Sequence, residues 1–123
     1  MARILVVEDT LSNIKLAQLV LEHAGHQVLV AEDGPGGLLA ARQHLPDLIL
    51  MDVQLPGMDG MAVTRELKAD PATARIPVLA LTAFAMKGDA EKIRAAGCDA
   101  YLAKPFQFPE LVQTIERLLA GRP

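Results

Sequence analysis

The residues best suited to chemistry in this sequence follow short apolar runs. Glu8 and Asp9 follow the first run, Asp52 the third, Thr82 the fourth and Lys104 the fifth. If the runs are parallel strands, their carboxyl ends lie along one edge of a sheet, and ligands of α/β proteins bind beyond that edge. The pattern therefore predicts that these five side chains form one site.

Three carboxylates in one site repel one another unless a cation lies among them. All three offer oxygen and no His or Cys stands at these positions, so the pattern favours Mg²⁺ over zinc. A Lys ammonium and a Thr hydroxyl suit a phosphoryl group, on which charge develops during transfer. An aspartate can accept that group as an acyl phosphate. Asp52 is the favoured acceptor because it ends a central strand, and Glu8 and Asp9, entering a loop, are the expected metal ligands.

Each residue taken alone has an ordinary structural explanation. A strand-end Asp or Glu commonly caps a helix or lies in a solvated turn. A single Thr or Lys is usually a polar surface residue. The combination, with acids after two strands, a hydroxyl after the next and a Lys-Pro after the last, carries the hypothesis of a phosphoryl site.

Five apolar runs alternate with five segments of helical spacing. Three of the runs are nearly continuous, as in strands that are covered on both faces. The runs are Ile4–Val7, Val28–Ala31, Leu48–Met51, Val78–Leu81 and Ala100–Ala103. Helices are predicted over Ser12–Ala24, Gly60–Leu67 and Pro109–Leu119, and near Asp89–Ala96, with Gly25 as the cap of the first. The second helix is predicted from the spacing of Leu38, Ala41 and Leu45, although Gly34-Pro35-Gly36-Gly37 is a weak start for a helix. The fourth helix has only Ile93 as a large apolar residue, so we expect it to be mobile.

This alternation predicts an α/β fold, a doubly wound (βα)5 sandwich. Its five-stranded parallel sheet would have right-handed crossovers and helices on both faces. Residues 1–123 are expected to form one domain, with no linker and no output domain.

The composition argues against several classes of function. Hydrophobic residues make up 51% of the 123 residues, so a packed core is expected. The net charge is −3 and no basic run occurs, which argues against nucleic-acid binding. No apolar run approaches the roughly 20 residues that cross a bilayer. Cys98 is the single cysteine and no signal peptide is evident, so we expect a cytoplasmic protein.

Five stretches, taken in order, resemble those of bacterial two-component response-regulator receiver domains over essentially the whole chain. They are Ile4–Asp9 (ILVVED), Pro46–Asp52 (PDLILMD), Leu55–Gly60 (LPGMDG), Leu81–Ala83 (LTA) and Ala103–Phe106 (AKPF). The stretch Thr82–Asp89 (TAFAMKGD) is similar to that of small single-domain receivers that act in cell-division control. The resemblance implies a flavodoxin-like strand order, 2-1-3-4-5.

The resemblance also implies which residues accept the phosphate and hold the metal. Asp52 would accept phosphate from a histidine kinase or a phosphotransfer protein. Glu8, Asp9 and Asp52, with the backbone carbonyl of Gln54, would hold Mg²⁺. Many relatives have Asp-Asp where this sequence has Glu8-Asp9, a change that should preserve the metal site. The Gln54 side chain occupies a position that varies in the family and affects the lifetime of the phosphoryl group.

The remaining implied roles concern the response to phosphate. Thr82 and Lys104 would bond the phosphoryl oxygens. The Lys104–Pro105 peptide would be cis, an isomer that only X–Pro bonds reach readily. Tyr101 would be an aromatic switch that turns inward when Thr82 moves. The domain would then signal by binding another protein, as a monomer or a weak dimer, and not as an enzyme.

The aromatic residues suggest where that partner binds, since aromatic side chains are enriched in the cores of interfaces. All of them follow the fourth strand, which points to the face of the fourth helix, fifth strand and fifth helix. The alternative is that Phe106 and Phe108 simply pack against the final helix. The four residues are Phe84, Tyr101, Phe106 and Phe108.

Three other classes of function remain open. A Mg²⁺-dependent aspartyl-phosphate phosphatase usually has a second acid two residues after the nucleophile, where this sequence has Gln54. A flavin or nucleotide module would need a phosphate-binding loop after the first strand, which here begins with the negative charge of Asp9. A receiver that binds partners without phosphorylation would not need the complete set of site residues.

Overall fold

The computed structural model describes residues 2–83 and 87–121. In this part of the chain, five strands alternate with five helices. The strands are β1 (Arg3–Val7), β2 (Gln27–Ala31), β3 (Leu48–Asp52), β4 (Val78–Thr82) and β5 (Ala100–Ala103). The helices are α1 (Leu11–His23), α2 (Gly34–His44), α3 (Gly60–Ala69), α4 (Lys87–Ala95) and α5 (Phe108–Ala120).

The strands form one parallel sheet in the order β2-β1-β3-β4-β5, which confirms the predicted fold class and strand order. In the centre of the sheet, Val7 at the end of β1 pairs with Met51 in β3. Asp52 pairs with Leu81 of β4. Thr82 at the end of β4 pairs with Ala103 at the end of β5. The carboxyl ends of β1, β3, β4 and β5 therefore share one edge of the sheet, the usual ligand-binding edge.

Successive residues of each strand enter different layers of the core, because side chains alternate across a sheet. Leu5 and Val7 pack with residues of α2 and α3. Ile4 and Val6 pack with residues of α1 and α5. Ile93 of α4 belongs to a third, smaller cluster. Both faces of the sheet are thus covered, which explains why the strands read as continuous apolar runs.

Four of the helices follow the sequence prediction, with shifts of one or two residues at their ends. After α1, the N–H of Gly25 donates to the Glu22 carbonyl and that of His26 to the Leu21 carbonyl, each at 3.0 Å. This pair of bonds is a Schellman motif, so the predicted C-terminal cap is confirmed. The expected mobility of α4 stays a prediction.

The helix α2 begins at the predicted Gly34, but its start is better capped than expected and its end differs from the prediction. The helix begins firmly at Gly34, because the Asp33 carboxylate accepts the Gly36 N–H at 2.6 Å and Pro35 fits the first turn. Leu45, expected on the buried stripe, is instead the C-terminal cap in the left-handed region, with a φ of 45°. Its side chain is 53% exposed, because the backbone leaves the helical spiral before the stripe reaches it.

Gly60 begins α3 directly against the backbone of β3. A Cβ at this position would overlap the Asp52 carbonyl oxygen and would lie 3.0 Å from the Met51 Cγ. Gly60→Ala should therefore lower the free energy of unfolding by about 1–3 kcal/mol, the usual cost of overpacking. Gly121→Ala is the matched control, since its Cβ would meet nothing closer than 3.6 Å. Urea unfolding of both variants checks this, and equal stabilities would contradict it.

Cys98 packs next to Thr64 of α3. The Cys98 thiol is half-buried, and its sulfur lies 3.8 Å from the Thr64 Oγ1. Burial raises the pKa of this thiol, as expected of a packed rather than a reactive cysteine.

Across residues 2–83 and 87–121, no helix has the length and apolar character needed to cross a membrane.

Candidate functional site

The edge formed by the strand ends brings the three predicted acids together. Glu8 and Asp9 directly follow β1, and Asp52 is the last residue of β3. One carboxylate oxygen of each residue lies within 4.8 Å of those of the other two. Glu8 and Asp52 are each only 6% exposed, whereas Asp9 is exposed to solvent. Two buried carboxylates and one exposed carboxylate thus form an oxygen-only cluster of the kind that Mg²⁺ prefers.

The Glu8 carboxyl is buried beside the carboxyl of Asp52. Burial raises its pKa to about 7, and the neighbouring Asp52 carboxyl adds to the rise. The Asn13 amide and the Lys104 ammonium oppose it. The Glu8 Oε2 atom is buried and has no hydrogen-bond partner within the described chain. A buried anion with an unpaired oxygen beside a second anion is a site where a cation would relieve the repulsion.

Asp52 is held from two sides. Its Oδ2 lies 3.4 Å from the Lys104 Nζ, and its Oδ1 accepts the backbone N–H of Gln54 at 3.0 Å. The Lys104 side chain is 32% exposed and reaches the carboxylate from the segment after β5. The Lys104–Pro105 peptide is cis. The carboxylate therefore has a cation on one oxygen and a backbone donor on the other.

Thr82 lies beside this pair, at the end of β4. It is 1% exposed, and its carbonyl accepts the Lys104 N–H at 2.7 Å. This bond ties the end of β4 to the residue that carries the ammonium group. A movement of either segment would therefore displace the other.

A cavity of about 310 Å³ opens next to the acids. Its lining combines Glu8, Asp52 and Lys104 with apolar residues of α1 and of the segment leading into α5. Phe106 and Phe108 are among these apolar residues, with their rings 6.4 Å apart in an edge-to-face arrangement. The cavity can therefore hold a chemical group larger than a water molecule.

The described aromatic residues pack in different parts of the core. Phe106 packs with the core cluster of α1 and α5. Tyr101 is half-buried in the cluster around Ile93 of α4, because its side chain points to the opposite face of the sheet from Leu102. Phe84 lies outside the described residues. Docking of a partner on the face of α4, β5 and α5 stays a prediction.

One contact at the site is missing from the sequence prediction. Asn13, in the first turn of α1, donates its Nδ2–H to the Glu8 Oε1 at 2.6 Å. An Asn five residues after an acid carries no recognisable signal on its own. Only the direction in which α1 leaves the sheet brings the two side chains into contact.

The sequence matches the family model of the response regulator receiver domain over residues 4–116. The chain therefore belongs to the response-regulator receiver family. It is 47% identical over 116 residues to the polar-differentiation response regulator DivK of Brucella anthropi, and the match covers 94% of each chain. DivK of Brucella melitensis has the same identity and coverage.

Solved structures give the same assignment. The receiver domain of a sensor histidine kinase from Pseudomonas aeruginosa, solved with a magnesium ion coordinated in its active-site cleft, superposes with a TM-score of 0.91. It is 38% identical, and 98% of each chain is covered. The chemotaxis protein CheY4 of Vibrio cholerae is 30% identical with a TM-score of 0.90, over 96% of this chain and 98% of that one.

Proposed function

We propose that this protein is a Mg²⁺-dependent phosphoacceptor that takes a phosphoryl group on Asp52 from a histidine kinase or a phosphotransfer protein. The observation that carries the proposal is the cluster of three carboxylates, with the Lys104 ammonium 3.4 Å from the Asp52 Oδ2. Membership of the receiver family and the likeness to a receiver with bound magnesium support it. The protein would act as a switch, and not as an enzyme with a separate substrate.

The metal would be held by Glu8, Asp9 and Asp52, with the Gln54 backbone carbonyl as a further oxygen ligand. The cluster fits Mg²⁺ because its side-chain ligands are all carboxylates and because the buried Glu8 Oε2 lacks a partner among the described residues. When bound, Mg²⁺ supplies positive charge to the oxygens of the transferring phosphoryl group.

The residues of the chain would perform the remaining chemistry. An oxygen of the Asp52 carboxylate attacks phosphorus, and the bond from phosphorus to the donor breaks, with the electron pair leaving on the donor. The Lys104 ammonium is close enough to Asp52 to pair with the phosphoryl oxygens, and we assign the Thr82 hydroxyl to the same task.

Signalling would follow from the rearrangement of these contacts. The phosphoryl group adds charge and acceptor oxygens, so Thr82 and Lys104 would shift towards it. We propose that Tyr101, half-buried near α4, changes position with Thr82. The α4–β5–α5 face is then the proposed docking surface for a downstream protein.

A role in cell-division control is proposed from the DivK relatives alone. The cytoplasmic location and the monomeric or weakly dimeric state stay predictions.

Incubation with acetyl phosphate tests the proposed function. The intact mass should increase by one phosphoryl group in the presence of Mg²⁺ and should not change when EDTA removes the metal. A control incubation with Ca²⁺ asks whether any divalent cation suffices, since Ca²⁺ prefers longer bonds and more ligands. Labelling that persists in EDTA would contradict the proposal.

The affinity for Mg²⁺ should rise with pH. The pKa of Glu8 in the metal-free protein is about 7, so below that pH the metal must displace a proton. The affinity should fall by up to about tenfold for each pH unit below the pKa. The pKa of Glu8 in the folded chain lies above its ordinary value of 4.5. The metal-free fold should therefore lose stability as pH rises from 4.5 through 7, because the unfolded chain releases this proton first. Bound Mg²⁺ should offset that loss.

Isothermal titration calorimetry well below and well above the Glu8 pKa checks this dependence. Glu8→Gln is the matched variant, because it keeps the shape of the side chain and cannot take up the proton. Its weaker Mg²⁺ binding should vary much less with pH. An affinity of the unaltered protein that is constant across this range would contradict the prediction.

A further inference from the structure

The Asn13 side chain reaches back from the first turn of α1 to the acid cluster. Its Nδ2–H donates to the Glu8 Oε1 at 2.6 Å, a charge-assisted bond when Glu8 is ionised. The other carboxylate oxygen, Oε2, is buried and has no donor among the described residues. Asn13 thus engages one oxygen of Glu8 and leaves the second for another ligand.

We propose that Asn13 is a positioning residue for the metal: it fixes the orientation of the Glu8 carboxylate so that Oε2 is available to Mg²⁺. The inference rests on the proposed function, because it requires that Glu8 binds the metal. Asn13 itself would not touch the ion. Its contribution is to hold an otherwise rotatable carboxylate in one geometry before the metal arrives, as the outer partners of metal ligands commonly do.

The surroundings of Asn13 argue against a purely structural role. It is exposed and lies at the third position of α1. The N-terminal cap of α1 is Thr10, and the Asn13 side chain bonds to Glu8. Asn has a lower intrinsic helix propensity than Ala. If Asn13 served only α1, replacing it with Ala would leave the helix equally or more stable. Its contact with Glu8 is the interaction that such a change removes.

Measurement of Mg²⁺ affinity by calorimetry on the full chain tests the proposal. Asn13→Ala should weaken Mg²⁺ binding by about 10–100-fold, the usual effect of losing an outer partner of a metal ligand. Ser12→Ala is the matched control, because Ser12 is an exposed residue of the same helical turn, and its affinity should equal that of the unaltered protein. An unchanged affinity in Asn13→Ala would overturn the inference and leave the proposed function intact. Absence of Mg²⁺ binding by the unaltered protein would overturn both.

A double-mutant cycle separates action through Glu8 from a general effect on the site. In a Glu8→Ala background, Asn13→Ala should cause no further loss of Mg²⁺ affinity, measured by an NMR titration that reaches weak binding. Losses that simply add would overturn the proposal. Raising the Mg²⁺ concentration should also restore phosphoryl incorporation in Asn13→Ala, whereas damage to the fold would persist at any concentration of metal.

Discussion

Asp52→Asn should abolish phosphoryl incorporation from acetyl phosphate in the presence of Mg²⁺. The neutral amide is a poor nucleophile and cannot form an acyl phosphate, while its size and shape match those of the carboxylate. The fold should survive, because the change removes one of two buried negative charges that repel each other. Intact mass spectrometry measures the incorporation, and thermal unfolding verifies the fold.

Asp59→Asn is the matched control for that change. Asp59 caps α3 by accepting the Ala62 N–H at 2.9 Å, and Asn caps helices about as well as Asp does. This variant should incorporate phosphate at the rate of the unaltered protein. Incorporation that survives in Asp52→Asn, or is lost in Asp59→Asn, would contradict the assignment of the acceptor.

Lys104→Met should slow phosphoryl incorporation by about 10²–10³-fold. Methionine keeps most of the length of the side chain but removes the ammonium that lies 3.4 Å from the Asp52 Oδ2. Loss of one well-placed donor to a developing negative charge typically has an effect of this size. Mg²⁺ binding should persist, because Lys104 supplies none of the carboxylate oxygens in the cluster. A time course of the intact mass gives the rate.

Lys92→Met provides the comparison for a lysine remote from the site. Lys92 is exposed on α4, so its replacement should leave the rate of incorporation unchanged. Equal rates for Lys104→Met and the unaltered protein would mean that the ammonium does not assist the transfer. A loss of Mg²⁺ binding in Lys104→Met would point instead to a disturbed metal site.

The fold could be predicted from the sequence because its signals are local and consistent. Continuous apolar runs such as Leu48–Met51 predict strands covered on both faces, and the structure buries all four residues of that run. The Schellman motif at Gly25 is equally local. Where the prediction for α2 was wrong, a side-chain cap from Asp33 and a left-handed residue at Leu45 outweighed the helical spacing.

The candidate site could be predicted in part, because parallel strands end at one edge. That rule sufficed for the acids of β1 and β3 and for Lys104. Asn13 and the separation of Tyr101 from Phe106 depend on how helices and loops pack across the sheet. Such tertiary relations have no periodic signal in the sequence.

Identification of the phosphorylated residue tests the central claim most directly. After incubation with acetyl phosphate and Mg²⁺, borohydride reduces an aspartyl phosphate to homoserine, which tandem mass spectrometry locates in tryptic peptides. The peptide that contains Asp52 also contains Asp47 and Asp59, so the fragments must distinguish the three positions. We expect homoserine at position 52 alone. Homoserine at another acid, or phosphate retained on His23, His26 or His44, would contradict the account.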